Sequence, residues 1–229
     1  DIIIGQSNFS TGVFGGIIDE VRYASAARSA DWMRATFLTE NDQFSAYGSE
    51  FSYAETQQSS SGWGYRKQIT LNNSASAENL TDFPVLVKFD NSKIDYSKTQ
   101  DDGGDLRFVD PADRTTVLSH EIESWNEKGT SFVWVKVPQI NAGSTSDSIF
   151  MYYGNPGASD GQDLNGVWDS SFQAVYHMDT PADGETIFSD TFNRADAGSL
   201  GADFTARGDT FSISGNYATN TTGTFFVSY

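Results

Sequence analysis

Alternation of apolar and polar residues, interrupted by turn-forming clusters, most constrains the fold of residues 65–155. In the segment 132–138, three valines alternate with Phe132, Trp134 and Lys136. Successive side chains of a β-strand point to opposite faces, so this pattern predicts a strand with one face in the core. The valine face is the better candidate for the core, because its members are uniformly apolar and β-branched.

Five further segments have the same strand-like pattern. They are 65–71, 82–90, 105–110, 120–126 and 149–155. Clusters rich in Asn, Asp, Gly and Ser separate them, as turns require. The composition agrees with this, because the chain has 14% aromatic residues and 21 glycines but only 5 prolines. The pattern predicts an all-β fold, an antiparallel β-sandwich of jelly-roll type, over the centre of the chain.

Charge and cysteine content exclude several classes of function. The chain has 14 Lys plus Arg against 31 Asp plus Glu, a net charge of −17. Such a field repels phosphate backbones and anionic headgroups, so we predict no nucleic acid partner and no membrane-surface binding. The absence of cysteine excludes disulfides, thiolate metal sites and a cysteine nucleophile. The chain contains no apolar run long enough to predict membrane insertion.

The loop 101–105, Asp-Asp-Gly-Gly-Asp, is the candidate metal site. Asp101, Asp102 and Asp105 offer carboxylate oxygens on a backbone that two glycines allow to bend. Calcium takes about six to eight oxygen ligands, so calcium is the cofactor that this loop predicts. The run does not match the EF-hand pattern. An alternative interpretation is that Asp105 caps a turn before the next strand.

Acidic residues and histidines provide weaker candidates for catalysis. Glycoside hydrolysis needs two carboxyl groups about 5 to 10 Å apart. Glu121 and Glu123, two residues apart on one strand, would lie about 7 Å apart, and Asp95 is a further candidate. A solvated polar strand face is the simpler interpretation of that pair. His120 and His177 match no zinc-protease motif, and a serine-hydrolase elbow is absent, so we assign no catalytic residue.

Aromatic side chains are the remaining candidates for ligand contact, because a pyranose ring packs well against an indole or phenol ring. The candidates are Trp63, Trp125, Trp134, Trp168, Tyr152, Tyr153 and Tyr176. Large aromatic residues at period-two spacing usually fill a sandwich core. Trp125 lies next to a turn, in Glu-Ser-Trp-Asn, and is therefore the residue that we predict to contact a ligand.

The strand segments of residues 63–178 resemble a bacterial extracytoplasmic domain of unknown function, of the type that precedes concanavalin-like (LamG-type) domains. The flanking segments resemble incomplete jelly rolls of that second type. Gly-Ile-Ile-Asp-Glu-Val-Arg at 16–22 is similar to a closing strand, and Asp-Thr-Phe-Asn-Arg at 190–194 is similar to an opening one. The predicted organisation is as follows: 1–52, end of a LamG-like domain; 53–62, linker; 63–178, central sandwich; 179–229, start of a second concanavalin-like domain.

The resemblance implies a bacterial protein that is extracellular, on the cell surface or periplasmic. It implies a non-enzymatic role in adhesion or assembly, within a larger multidomain surface protein or filament. The expected partners are neighbouring domains or copies of the same protein, which would complete the unfinished ends. A carbohydrate-binding module, with a glycan as partner, is the first alternative, and a glycoside hydrolase is the second.

Overall fold

The computed structural model of the chain describes residues 20–53, 62–177, 211–214 and 217–220, with only the backbone for the last two segments. The chain divides into two units. One comprises Val21–Asp179, and the other combines Asp1–Glu20 with Thr180–Tyr229.

Within residues 20–177 the described elements are mainly short strands. In chain order they are β1 (Glu20–Ala24), α1 (Ala30–Glu40), β2 (Ser45–Tyr47), β3 (Phe51–Ser52), β4 (Tyr65–Leu71), β5 (Leu80–Phe89), a 3-10 turn (Tyr96–Lys98), β6 (Arg107–Val109), β7 (Val117–Leu118), β8 (His120–Ser124), β9 (Ser131–Ile140), β10 (Ser148–Tyr153), α2 (Leu164–Val167) and β11 (Phe172–His177).

Two antiparallel sheets form the body of this unit. The larger sheet has the order β2-β4-β10-β6-β7, and β3 also pairs with β4. The smaller sheet has the order β5-β9-β8. Strands β5 and β9 pair from Leu80 opposite Ile140 to Phe89 opposite Ser131. The predicted all-β, antiparallel sandwich is confirmed.

The core lies between the two sheets and uses the predicted strand faces. Val133 and Val135 are fully buried, and they share one cluster with Ile69 and Met151 of the larger sheet. The prediction for the valine face of β9 is therefore confirmed. Trp134 points to the opposite side and is only 1% exposed, in a second cluster. The smaller sheet is thus covered on both faces.

Helix α1 packs against β5. Ser29 caps the helix, because its Oγ accepts a hydrogen bond from the backbone N–H of Trp32 at 3.0 Å. The ring of Trp32 packs edge-on against Phe83, with centroids 4.7 Å apart. At the other end, Thr39 Oγ1 donates to the carbonyl of Leu86 at 3.1 Å and accepts from its N–H at 2.9 Å. This hydroxyl satisfies backbone groups that a neighbouring strand would otherwise pair.

The domain boundary predicted at residue 53 differs from the division that the structure shows. Phe44 is buried in the main core, and β2 and β3 both pair with β4, so residues from Val21 onward belong to the unit that contains the sandwich. A polar Gln- and Ser-rich run marks a loop, but sequence alone does not separate a loop within a unit from a linker between units. Residues 54–61 lie outside the described part.

Of the predicted jelly-roll pieces, residues 1–19 of the first and most of the second lie outside the described residues. Of the unit formed by the chain ends, the structure describes two strands, β12 (Phe211–Ser214) and β13 (Tyr217–Asn220). These strands pair antiparallel from Phe211 opposite Asn220 to Ser214 opposite Tyr217. The LamG-like character of the ends stays a prediction.

Candidate functional site

The outer face of the larger sheet carries a group of aromatic and arginine side chains, which we call the aromatic-arginine face. Its members are Phe51, Tyr53, Arg66, Arg114, Phe150 and Tyr152. Period two explains its position on β10, where Ile149, Met151 and Tyr153 point into the core and Phe150 and Tyr152 point away from it.

Arg66 lies at the centre of this face. The strand register places it opposite Phe51 of β3 on one side and Tyr152 of β10 on the other. Its guanidinium carbon lies 4.9 Å from the ring centroid of Phe51, 4.8 Å from that of Phe150 and 5.9 Å from that of Tyr53. These distances are typical of cation-π contacts, which hold the guanidinium in place without neutralising its charge.

The face carries positive charge in a chain whose net charge is −17. Arg114 contributes a second guanidinium, 5.9 Å from the ring of Phe150. Among the described residues, no carboxylate oxygen lies within 4.0 Å of either Arg66 or Arg114. Burial, followed by a hydrogen bond with Tyr152, raises the pKa of Tyr53, and the two guanidiniums oppose that rise. Phe51 is 49% exposed, so the face is open to solvent.

Arg107 lies opposite Tyr152, in the same cross-strand row, but its guanidinium already forms hydrogen bonds within the protein. It donates to the carbonyls of Gly104 at 3.0 Å, Leu106 at 2.6 Å and Ser159 at 2.5 Å. Gly161 packs against its guanidinium so closely that an added Cβ would lie 2.1 Å from the guanidinium carbon. Arg107 therefore ties loops together and is not part of the open face.

Glu121 and Glu123 do share one side of β8, with His177 between them. His177 Nε2 lies 3.5 Å from Glu121 Oε1, and His177 Nδ1 lies 3.5 Å from Glu123 Oε2. Each carboxylate also accepts an indole N–H, from Trp168 to Glu121 at 2.8 Å and from Trp134 to Glu123 at 2.6 Å. The pair is therefore bonded within the protein.

The interpretation of Glu121 and Glu123 as part of a solvated strand face is wrong. Their side chains are only 13% and 15% exposed. Arg22 lies beside them, with its guanidinium carbon 4.6 Å from the ring centroid of Trp134 and 5.6 Å from that of Trp168. Arg22 also forms an ion pair with Glu40. Strand β11 and Trp168 cover this face, which sequence alone did not indicate.

The three predicted calcium ligands do not converge. Asp105 is 1% exposed, and its carboxylate accepts backbone N–H bonds from Gln100 at 2.9 Å, Gly154 at 2.8 Å and Asn155 at 3.0 Å. Asp101 and Asp102 are exposed. This geometry agrees with the alternative interpretation, in which Asp105 organises a turn. Calcium binding stays a prediction.

Trp125 and the 101–105 loop, predicted separately, lie in direct contact. The six-membered part of the Trp125 indole packs against Gly103, where an added Cβ would lie 2.6 Å from the ring. The other side of the indole meets Tyr96 and Phe89 edge-on, at centroid distances of 5.1 Å and 5.8 Å. Trp125 is half-buried against the main core, and its role as a ligand contact stays a prediction.

The other aromatic candidates fall into several environments. Trp134 and Tyr153 are buried, at 1% and 0% exposure, as expected for core-filling residues. The guanidinium carbon of Arg107 lies 5.3 Å from the ring centroid of Trp63. Tyr176 is 50% exposed on β11. Only Tyr152 belongs to the aromatic-arginine face.

Sequence reasoning missed five members of that face, namely Phe51, Tyr53, Arg66, Arg114 and Phe150. One signal was available for Phe150. In the segment 148–153, alternation places Phe150 and Tyr152 opposite three core residues, and two large aromatic rings on a non-core face are uncommon enough to mark a site. The positions of Arg66 and Arg114 depend on strand pairing and loop conformation.

His120 lies in the core, at 1% exposure, next to the ring of Phe108. Its Nδ1 has no hydrogen-bond partner among the described residues. Burial, and then the positive charge of Arg107, lower the pKa of His120 to about 4. Protonating this imidazole in the folded protein would place a charge in an apolar environment.

We expect His120 to make the protein less stable in mild acid. The unfolded chain binds a proton at this residue below about pH 6.5, and the folded chain only below about pH 4. The stabilising contribution of the neutral imidazole is fully present above pH 6.5 and is lost as the pH falls towards 4. The total loss in the free energy of unfolding is at most about 3 kcal/mol. Urea unfolding at several pH values should show that the free energy of unfolding falls over this pH range. In His120→Gln this pH dependence should be weaker, because the unfolded variant binds one proton fewer.

An NMR titration of the unmodified protein provides an independent check, because it does not depend on the stability of the variant. The His120 imidazole should not titrate between pH 7 and about pH 5. A midpoint near pH 6.5 would contradict the prediction.

Comparison with known proteins gives one match. Residues 102–194 match a protein family described as a domain of unknown function (DUF2341). The match covers the strands from β6 to β11, which lie in the region predicted to hold such a domain, and it extends to residue 194, beyond the predicted end of that domain at 178. Searches of curated proteins and of solved structures gave no match. Among the described residues, neither helix is long and apolar enough to cross a membrane.

Proposed function

We propose that this chain is a non-enzymatic adhesion module of a larger, extracytoplasmic bacterial protein, and that it attaches to an extracellular glycan through the aromatic-arginine face. One observation carries the proposal. Exposed or half-exposed rings of Phe51, Tyr53 and Phe150 surround Arg66 on an open sheet face. Aromatic rings pack against the apolar faces of sugars, and guanidinium groups donate hydrogen bonds to sugar oxygens.

The acidic pair supports a role without catalysis. Glycoside hydrolysis needs two carboxyl groups on either side of a bound sugar. Glu121 and Glu123 instead lie on either side of His177, and each accepts an indole N–H. A substrate would have to displace these bonds and the side chains of Arg22 and Trp168.

The envelope location and the LamG-type neighbours rest on the sequence resemblance. Assembly through the chain ends, the other role that the resemblance implies, stays a prediction because residues 1–19 and most of 178–229 lie outside the described residues. Attachment through the aromatic-arginine face does not depend on the ends, and it is testable with the chain as it is.

Adsorption to insoluble polysaccharides tests the proposal. We expect the chain to sediment with at least one member of a panel of plant and bacterial cell-wall polysaccharides, and to release no reducing sugar. The double variant Phe51→Ser, Phe150→Ser should lose most of this adsorption, because it removes two stacking rings without removing charge.

Phe37→Ser is the matched control, because Phe37 is 59% exposed but lies on α1. It should adsorb like the unmodified chain. Equal adsorption of the double variant and of this control would contradict the proposal, and so would the release of reducing sugar.

A further inference from the structure

We propose that the aromatic-arginine face selects an acidic glycan, and that the carboxylate groups of uronic acid residues pair with Arg66 and Arg114. This inference rests on the proposed function and adds the chemical class of the ligand. A guanidinium and a carboxylate form paired, charge-assisted hydrogen bonds, which are stronger than the bonds between a guanidinium and a neutral hydroxyl.

The first argument is that, among the described residues, these two arginines have no carboxylate partner. Some cations elsewhere in the described residues do pair with acids: Arg28 pairs with Asp169 at 2.8 Å, and Lys98 pairs with Glu50 at 2.7 Å. The chain has 31 acidic residues for 14 basic ones. In such a chain, two guanidiniums on one face that have no carboxylate partner in the described part of the chain form a local site of opposite charge.

The second argument is the way in which Arg66 is held. The rings of Phe51 and Phe150 contact its guanidinium at similar distances, 4.9 Å and 4.8 Å. A guanidinium stacked on rings keeps its N–H groups for acceptors that lie in its own plane. Among the described residues, Arg66 has no hydrogen-bond acceptor for its side chain, so those donors are left for a ligand. The rings also reduce the entropy that Arg66 loses on binding.

The third argument is the spacing of the rings. Phe51 lies opposite Arg66, whereas Phe150 lies two residues along β10 from Tyr152, the residue of β10 opposite Arg66. The two ring centroids lie 4.9 Å and 4.8 Å from the Arg66 guanidinium carbon, so they are at most about 10 Å apart. This span accommodates a disaccharide. One sugar ring can pack on each side of Arg66, whose guanidinium then reaches a carboxylate carried by either sugar.

Charge density favours a polyuronate over a nucleic acid. A DNA duplex carries one charge for about every 1.7 Å of its axis, so the net charge of −17 repels it more than it repels a less densely charged polymer. A polyuronate carries at most one charge for each sugar. At physiological ionic strength the screening length is about 8 Å, so the two guanidiniums act at contact while the remaining acidic surface is largely screened.

Calorimetric titration of the whole chain tests this inference. The probes are an oligogalacturonate, a neutral galactan oligomer of the same length and polyglutamate as an acidic polymer without sugar. We expect the oligogalacturonate to bind best, and Arg66→Gln to raise its Kd by about tenfold. Arg114→Gln should have a smaller effect in the same direction, since Arg114 contacts a single ring of the face.

Arg34→Gln is the matched control, because Arg34 is exposed on α1 outside this face. It should leave the Kd unchanged. Circular dichroism should show that all three variants are folded. If Arg66→Gln fails to fold, the comparison of Arg114→Gln with Arg34→Gln still decides the matter.

The outcomes separate this inference from the proposed function. Equal binding of the neutral oligomer, unaffected by Arg66→Gln, would overturn the acidic specificity but leave glycan attachment in place. Equal binding of polyglutamate would show that the sugar is not recognised, and so overturn the inference. A chain that adsorbs to insoluble polysaccharides but binds none of the three probes would also overturn it, and failure of both assays would reject both proposals.

Discussion

Replacing Asp105 by alanine is expected to destabilise the protein by about 3 kcal/mol or more, since it leaves three backbone N–H groups without their acceptor. Asp105 joins the loop before β6 to the loop after β10, which are about 50 residues apart in the chain. The free energy of unfolding, measured by urea denaturation, should fall by this amount. Asp105→Asn retains one oxygen acceptor, so its free energy of unfolding should lie between those of the unmodified protein and of Asp105→Ala.

Asp101→Ala is the control within the same loop, because Asp101 is exposed. Its effect on stability should stay within about 0.5 kcal/mol. The same two variants test the calcium prediction. If calcium binds this loop, added calcium should raise the unfolding temperature of the unmodified chain, and Asp101→Ala should weaken that rise. A loss of stability in Asp101→Ala as large as that in Asp105→Ala would contradict the structural role assigned to Asp105.

Replacing Trp134 by alanine should destabilise the protein by about 4 kcal/mol. Its indole is 1% exposed, stacks with Arg22 and donates its N–H to Glu123. The variant therefore loses a large buried ring and one donor to a largely buried carboxylate. Thermal and urea unfolding should both show the loss.

Two further variants separate these contributions. Trp134→Phe keeps most of the ring but removes the donor, and it should cost about 1 to 2 kcal/mol. Tyr176→Ala, at an exposed aromatic residue of β11, should cost less than about 0.5 kcal/mol. A Trp134→Ala variant as stable as Tyr176→Ala would mean that the outer face of the smaller sheet is not a second core.

The Trp134 cluster also shows the limit of pattern reasoning in this chain. Alternation predicts two faces for β9 but assigns only one to a core, because it counts polarity and not what packs against each face. The outer face of β9 is buried because β11, Trp168 and Arg22 cover it. These residues lie far from β9 in sequence. The register shift between Ile122 and Ser124 in β8, near the acidic pair, likewise has no visible signal in the sequence.

For the candidate sites too, the sequence predicted some features and missed others. The sequence located the turn at Asp105 and named the residue that organises it, because an Asp after two glycines is typical of a turn. It did not indicate the aromatic-arginine face, which combines residues from β3, β4, β10 and two loops. Conversely, it singled out Glu121 and Glu123 for their spacing but not the indole and imidazole groups that engage them.

The amino-acid sequence by itself determined the all-β class, the strand positions in the centre of the chain and the valine face of β9. These properties follow from the two-residue period of a strand, which is local and independent of what the strand meets. Only the tertiary structure decided that β2 and β3 join the larger sheet and that the smaller sheet is covered on both faces. It also decided that Arg66 lies among aromatic rings, with no acidic partner among the described residues. These features depend on which distant segments come into contact, and a local pattern carries no record of its partner.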